Sequence, residues 1–497
     1  MRREYLPLQS LPVWAKLNGI STNGVAFQNL SSTESETDKG NAIVATEEKS
    51  SCETDSSPQV LLQIPRELVL SLEAVQDHSK SDRDLREVLE AVGDFGRTAR
   101  GAIMIFLLVQ ITHSSPDMKR QVGVSSPWTE YIKFFPPSFP LPTSYSDEEQ
   151  QLLRGTSLAA VVEAKCSSLE REFLHLREST DNIQWCREAW WEEGIGKLTE
   201  DDWKYIDAAY RSRMVDLPGS GHAMVPCIDM ANHISEPDVR ALYDADSEGN
   251  AILQLRWGKA IHPGDEVTIS LNFSYGDEKS ASEMVFSYGF LESDRKEARQ
   301  VLLDMNMPSD DPLGVAKNMI CREAPGIRLS LVSDIGSSSH IVWDSPLVWL
   351  ASVNEEDGLH IGVTQTNDGT MELETIWREE KLESPHQLRE LLAADPAWDV
   401  FQLRAVVLLL ERLEAQLSLM KETDDVLRSL QENQAIFETI FRPEIFSLAS
   451  RLRQLETKHL ENAILDLTKQ QTELMESKAV IQYLTEQAQA EDVEDFS

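Results

Sequence analysis

Apolar and polar positions follow several different rhythms along this chain of 497 residues. Between residues 13 and 44, short apolar pieces such as WAKLNGIS and GVAFQN are broken by turn formers, a pattern that predicts small strands. The stretches SSTESETDKG and TEEKSSCETDSSP, before LLQIPRELVLS, offer almost no side chains to bury and read as loops. From about Asp82 to Asp207, apolar residues recur every three or four positions, as in LREVLEAVGDFGRTARGAIMIFLLVQ and LAAVVEAKCSSLEREFLHLRE. This region is predicted to be helical, with the prolines of FFPPSFPLP separating the helices. Strand character returns in AMVPCIDM, ALYDAD, AILQLRW and DEVTISLNFSY, which are short, rich in β-formers and punctuated by SEGN and HPGD turns. Beyond Pro385 the pattern is helical again. Leu460, Ile464, Leu467, Gln471, Leu474, Lys478 and Ile481 follow alternating steps of four and three, but Gln471 and Lys478 interrupt the seam with polar groups. An amphipathic helix packed on its own protein is therefore expected rather than a coiled-coil partner.

A chain of this length outgrows a single hydrophobic core, so two or three compact units are expected. With 41% hydrophobic and 26% charged residues, the composition is that of a globular protein. The longest apolar run, 103–109, is too short to span a bilayer, and MRREYLPLQS lacks the apolar core of a signal peptide. These features predict a soluble protein of the cytoplasm or nucleus with no membrane partner. Cys52, Cys166, Cys186, Cys227 and Cys321 are too few and too scattered for a disulfide framework or a CxxC zinc site, so no metal is expected. The formal charge of -38 disfavours unspecific binding of nucleic acid or anionic membrane and suits basic partners, although acidic surfaces also simply keep proteins soluble.

The run LPGSGH is followed by strand-like residues where a phosphate loop needs a helix, so it reads as a turn. No GxxxxGK[ST], HExxH or GxSxG occurs. PCIDMANHIS is the denser signal, because it gathers Asp229, Asn232 and His233 within five residues. Metal ligation, general acid/base chemistry and a polar turn whose groups satisfy one another are all compatible with it.

Several stretches then fall into one order: KGNAIVA, LLQIPRELVLS, YRSR, VPCIDMANH, PGDEVTIS and SYGDEKSASEMVFSYGF. In that order they resemble the SET-domain protein lysine methyltransferases, specifically the Rubisco large-subunit methyltransferase-like group with its ribosomal and elongation-factor methyltransferase relatives. The resemblance implies an α+β fold: a SET β fold with a knotted active site, interrupted by a large helical insertion and followed by a helical C-terminal domain. The implied boundaries are 1–75 and 207–300 for the two parts of the SET domain, 76–206 for the insertion, and 301–497 for a helical, substrate-binding-like domain. Every implied cofactor motif lies before Leu291, so loss of the last third would spare the cofactor site, unless runs such as VVLLL and IFSLASRL cover apolar surface of the core.

The resemblance also implies an activity: transfer of a methyl group from S-adenosyl-L-methionine to an accessible lysine of a non-histone protein, by a monomer. Tyr288 is implied as catalytic and as lying beside the methyl donor. Asn232 would hold the methionyl end of the cofactor, and the His233 backbone would meet the adenine while its imidazole ties into the local fold. Gly40 and Asn41 would present backbone to the cofactor, and Arg213 would lie near its carboxylate. Ser212, Asp229 and Tyr275 would line or shape the lysine channel. Ala42 stands where relatives carry a second glycine, and VTISLNFSYG is longer than the usual strand. Two other readings stay open: methylation of histidine, and a non-catalytic SET fold that recognises a protein tail.

Overall fold

A computed structural model describes the chain apart from residues 31–39, 53–57, 119, 193–196, 236–237, 271–278, 310, 325, 333–338, 366–370, 433 and 495–497. The chain divides into two compact units, neither continuous in sequence. The first comprises Met1–Ser146, Ala160–Glu278 and Glu283–Ser293, and the second Asp147–Ala159, Lys279–Ser282 and Asp294–Ser497.

The first unit is built from short antiparallel strands and a block of helices. Its largest sheet has the order Ser21–Thr22, Val60–Ile64, Ala251–Leu255, Ala241–Ala245. Gln63 pairs with Ile252 and Ile64 with Ala251, so strands separated by the whole helical insertion rejoin as neighbours. Leu61, Leu62, Ile64, Leu253 and Leu255 are fully buried, as expected where both faces of a strand are covered. Val25–Asn29 and Asn41–Ala45 form a hairpin, and Met214–Leu217 and Gly221–Met224 form another around LPGSGH, where Gly219 and Gly221 take positive φ. The turn expected there is present.

One early element differs from expectation. WAKL lies in a helix, Leu11–Leu17, and not in a strand. Leu11, Trp14 and Ala15 occupy one buried face at helical spacing, with Pro12 in the first turn, where its missing N–H costs nothing.

At the centre of the insertion, Ala99–Ser114 is buried on every side from Gly101 to Thr112, which explains why its sequence is apolar all round. The Thr98 side chain caps its N-terminus by accepting from Gly101 N–H at 3.0 Å. Glu200–Arg213 begins with a capping box between Thr199 and Asp202 and places Arg211 and Arg213 in its last turn, where cations favour the helix dipole. Those two arginines matter below.

In the second unit, the helical reading holds from Gln387 onward, with long helices at Trp398–Gln431 and Pro443–Met475. Leu460, Ala463, Leu467 and Leu474 are buried along the latter, so its apolar stripe packs within its own protein. Ahead of these helices stand two three-stranded sheets: Gln300–Asp304, Gly326–Val332 and His340–Asp344, then Leu359–Gln365, Met371–Trp377 and Glu380–Lys381.

Candidate active site

The Asn41–Ala45 strand is held on one edge by Val25–Asn29 and on the other by residues 265–267, with Val267 N–H donating to Ile43 O at 2.8 Å and Ala45 N–H to Asp265 O at 2.8 Å. Gly40, at the head of that strand, has φ +63°, and no described residue lies within 4 Å of the position a Cβ would take. A side chain would be strained by the backbone there, not by crowding. Asn41 Oδ1 accepts from Asn29 Nδ2 at 3.1 Å.

Residues 265–270 have a second neighbour. Ile269 N–H donates to Asn232 O at 3.0 Å, and Ile234 N–H to Ile269 O at 3.1 Å, around a parallel bridge between His233 and Ile269. Val267, Thr268, Ile269 and Ser270 are all buried, so both faces of this stretch are covered. Tyr275 lies outside the described residues.

Asn232 Nδ2 donates to Glu266 Oε1 at 2.7 Å. The His233 imidazole is fully buried, with Nε2 3.2 Å from Glu292 Oε1, and Ser235 Oγ donates to the same oxygen at 2.8 Å. Glu292 therefore ties the segment around Asn232 to the stretch that follows Ala281–Tyr288. The rings agree: His233 and Phe290 have centroids 6.2 Å apart, and Phe290 and Tyr288 6.4 Å. Residues 55 positions apart in sequence, His233 and Tyr288, thus meet around Phe290.

Arg213 and Asp229 come together directly. Arg213 Nη1 donates to Asp229 Oδ2 at 2.7 Å and to its backbone carbonyl at 3.2 Å. The guanidinium also lies over the rings of Phe135 and Phe139, 4.9 and 5.5 Å from their centroids. Burial works most strongly against its charge, but the Asp229 carboxylate together with Tyr131 and Tyr205 outweighs burial, and the pKa of Arg213 is raised. The other Asp229 oxygen accepts from the Tyr131 hydroxyl, which itself accepts from Cys227 N–H at 2.7 Å. Burial, and then the Asp229 charge, push that hydroxyl well above its ordinary pKa. Cys227 carries φ +70°, rare for a residue with a side chain, immediately before the Ile228–Met230 turn. Ser212, between the two arginines, turns its hydroxyl back to Ala208 O at 2.7 Å.

Tyr131, Phe135, Phe139, Glu266 and Glu292 were not singled out from the sequence. The first three come from the insertion, where FFPPSFPLP reads as a separator, and nothing local signals that they fold onto Arg213. Among the described residues, no group of three or more His, Cys, Asp or Glu side chains is placed to hold a metal ion.

No protein-family model matches the chain. The SET domain of LSMT bound to lysine and AdoHcy aligns with a TM-score of 0.60 at 16% identity, over 94% of this chain and 92% of that one. The chain has the SET-domain fold. Rubisco LSMT bound to AdoMet aligns equally well, at 0.60 and 16% identity, so the likeness to that group of SET proteins extends over 94% of the chain. Among curated proteins, SET domain-containing protein 8 of Schizosaccharomyces pombe is 25% identical over 437 residues, which is 87% of this chain and 90% of that protein. A chloroplastic [fructose-bisphosphate aldolase]-lysine N-methyltransferase of Arabidopsis thaliana is 26% identical over 200 residues, 38% of each chain. In SET-fold terms, the insertion interrupts the domain between its first sheet strands and the Asn232 segment, and the two parts rejoin through the pairing of Gln63 with Ile252.

Proposed function

We propose that this chain is an S-adenosyl-L-methionine-dependent protein-lysine N-methyltransferase that acts on a non-histone protein, with ribosomal proteins or translation factors as the substrate class. The observation that carries the reading is the convergence of the Asn232 and His233 segment with Tyr288 and Phe290 through Glu292, three residues along the chain from the Arg213 and Asp229 pair.

The residues present suit the cofactor. Arg213 Nε is buried and has no hydrogen-bond partner among the described residues, so the guanidinium keeps a donor for a carboxylate such as the one at the methionyl end of the cofactor. Arg213, Asn232, Gly40, Asn41 and the His233 backbone would hold S-adenosyl-L-methionine, which when bound supplies a methyl group on a positively charged sulfur. The protein has to present an unprotonated, dehydrated lysine amine in line with that methyl group. The Tyr288 hydroxyl can orient the amine, and the aromatic faces of Tyr288 and Phe290 tolerate a cationic substrate and product.

Two features support the finer reading. The charge of -38 suits a basic protein substrate, and one similar protein methylates, by its name, a metabolic enzyme. Cys166, Cys186, Cys227 and Cys321 form no disulfide, which suits a reducing compartment, so the cytoplasm or nucleus is the proposed place of action.

Calorimetry with S-adenosyl-L-methionine and its demethylated product, followed by labelled transfer into a cell extract and mapping of the modified residue, tests the proposal. Label on a lysine of a non-histone protein is expected. Absence of affinity for either cofactor form would remove the enzymatic reading, and label on histidine would replace lysine as the acceptor.

A further inference from the structure

Helix Glu200–Arg213 ends with two arginines, and only Arg213 belongs to the site described above. Arg211 is oriented differently. Its Nε donates to Asp207 Oδ2 at 2.7 Å, Nη1 to the backbone carbonyl of Phe286 at 2.6 Å, and Nη2 to Thr143 Oγ1 at 2.8 Å. Its guanidinium carbon stands 4.6 Å from the centroid of the Phe286 ring. The side chain is only 11% exposed, so these bonds are made largely out of water.

Phe286 lies in the last turn of Ala281–Tyr288, where helix carbonyls have no partner within the helix and carry the negative end of its dipole. A buried cation bonded to that carbonyl holds the helix end, two residues before Tyr288. The insertion touches the same end a second time. Gly289 has φ +77°, and a Cβ there would meet Pro140 O at 2.8 Å and a Leu141 methyl carbon at 3.1 Å. Residues 140–143 thus press on the chain at Gly289 and meet Arg211 through Thr143.

Arg211 shares the neutralisation of Asp207 with two other cations. Arg100 Nη2 lies 2.6 Å and Lys165 Nζ 2.9 Å from its other oxygen, and Arg100 is also bidentate to Glu172 at 3.0 and 2.9 Å. Burial acts against the Asp207 charge, and the three cations outweigh it, lowering its pKa. With two cations remaining on Oδ1, loss of Arg211 leaves that charge partly compensated, and beyond its share in that compensation Arg211 is directed at Phe286 and Thr143.

We propose that Arg211 and Thr143 form a clamp through which the helical insertion fixes the end of Ala281–Tyr288, making Arg211 a positioning residue for Tyr288. The inference rests on the reading of Tyr288 as the residue beside the methyl donor. It differs from a stability role because its effect falls on the transfer step and on the surroundings of one ring.

The test uses the full chain with 3-fluorotyrosine in place of Tyr288, alone and combined with Arg211→Met, Arg211→Lys or Thr143→Val. Three quantities are measured: the fluorine resonance at position 288, the affinity for S-adenosyl-L-methionine by calorimetry, and the initial rate of labelled methyl transfer into a cell extract from chains retaining the natural tyrosine. Arg211→Met is expected to shift or broaden the fluorine signal and to slow transfer about 10- to 100-fold, because small misplacements of reacting groups are costly. Cofactor affinity should stay within about threefold, since the clamp does not touch the proposed cofactor ligands. Arg211→Lys should rescue part of the rate, and Thr143→Val should lower it a few-fold. A folded Arg211→Met protein with an unchanged resonance and rate would overturn the clamp. If that variant does not fold, unchanged signals in both Arg211→Lys and Thr143→Val overturn it instead. If the unsubstituted chain neither binds cofactor nor transfers methyl groups, the function proposed above fails, and the fluorine spectra still decide whether the clamp exists.

Discussion

Asp229 and Arg213 form a buried ion pair, 2.7 Å from Oδ2 to Nη1, in which the carboxylate side chain is 1% exposed and the guanidinium side chain 13%. The pair links the turn after Cys227 to the end of the Glu200–Arg213 helix, and the Tyr131 hydroxyl occupies the second carboxylate oxygen. Removing the carboxylate strands a buried cation. Asp229→Asn is therefore expected to destabilise the protein by about 3–5 kcal/mol, and Tyr131→Phe by a smaller amount, about 1–3 kcal/mol. Urea unfolding followed by circular dichroism measures both, and equal stability of Asp229→Asn and the unsubstituted protein would show that the pair is not strongly coupled to folding.

Tyr288→Phe and Asn232→Ala should separate in kinetics. One hydroxyl is proposed to act mainly on the transition state, so its loss lowers turnover about 10²-fold or more with little change in cofactor affinity. Asn232→Ala removes an amide proposed to hold the cofactor, together with its 2.7 Å bond to Glu266, and should weaken binding directly. Calorimetry beside single-turnover transfer measures the two effects. Equal losses of affinity in both variants would contradict the assignment.

Glu456 should make stability depend on pH in the second unit. Its carboxyl is fully buried, accepts from Ser157 N–H at 2.8 Å and from Ser157 Oγ at 2.6 Å, and is pushed by burial from 4.5 to about 7, against the opposing pull of those donors. The folded chain holds this proton more tightly than the unfolded chain. The contribution to stability is complete below about pH 4.5 and is lost as pH rises through about 7. Comparing the unsubstituted protein with Glu456→Gln by thermal unfolding should show a difference that changes by at most about 3 kcal/mol between pH 5 and pH 8. A difference independent of pH would exclude a raised Glu456 pKa.

Truncation before residue 301 should not yield a folded fragment. Asp147–Ala159 belongs to the second unit, where Glu149 receives Arg442 at 2.8 and 2.6 Å, Gly155 O accepts from the Gln416 amide, and Arg154 O accepts from Arg453 at 2.6 Å. Lys279–Ser282, which starts the helix bearing Tyr288, also belongs there. A chain ending at residue 300 leaves the Glu149 carboxylate, 3% exposed, without its arginine. Aggregation on expression and loss of cofactor binding are expected, and a soluble fragment that binds S-adenosyl-L-methionine would refute this.

What was legible in the sequence depended on the range of the interaction. The spacing of apolar residues revealed the insertion helices, the β-formers and flanking turns of AILQLRW revealed its strand, and the strand-like residues after LPGSGH revealed its turn, because each is set by neighbours within a few positions. WAKL misled because a short run with Leu11, Trp14 and Ala15 at helical spacing can be taken for a strand when its buried face is not known. The meeting of His233 with Tyr288 was expected only through a family likeness, and the roles of Tyr131, Arg211 and Glu292 could not be read locally. Their partners lie 98, 75 and 59 positions away, as in Tyr131 to Asp229, Arg211 to Phe286 and Glu292 to His233. No periodicity encodes such pairings. The sheets between Gln300 and Lys381 were missed although a local signal was present: Gly326–Val332 alternates, with Ile327 and Leu329 buried and Arg328 exposed between them.

The strap Asp147–Ala159 also sets a timetable for synthesis. Glu149 leaves the ribosome 293 residues before Arg442, and Ser157 leaves 299 residues before Glu456. At ordinary elongation rates of 5–20 residues per second, each waits about 15 to 60 seconds for its partner. Throughout that interval the middle of the insertion is committed to neighbours that do not yet exist, so the native arrangement of the strap can be completed only after Glu456 has been made. Until then, buried groups such as Glu149 stand without the partners that satisfy them in the finished fold.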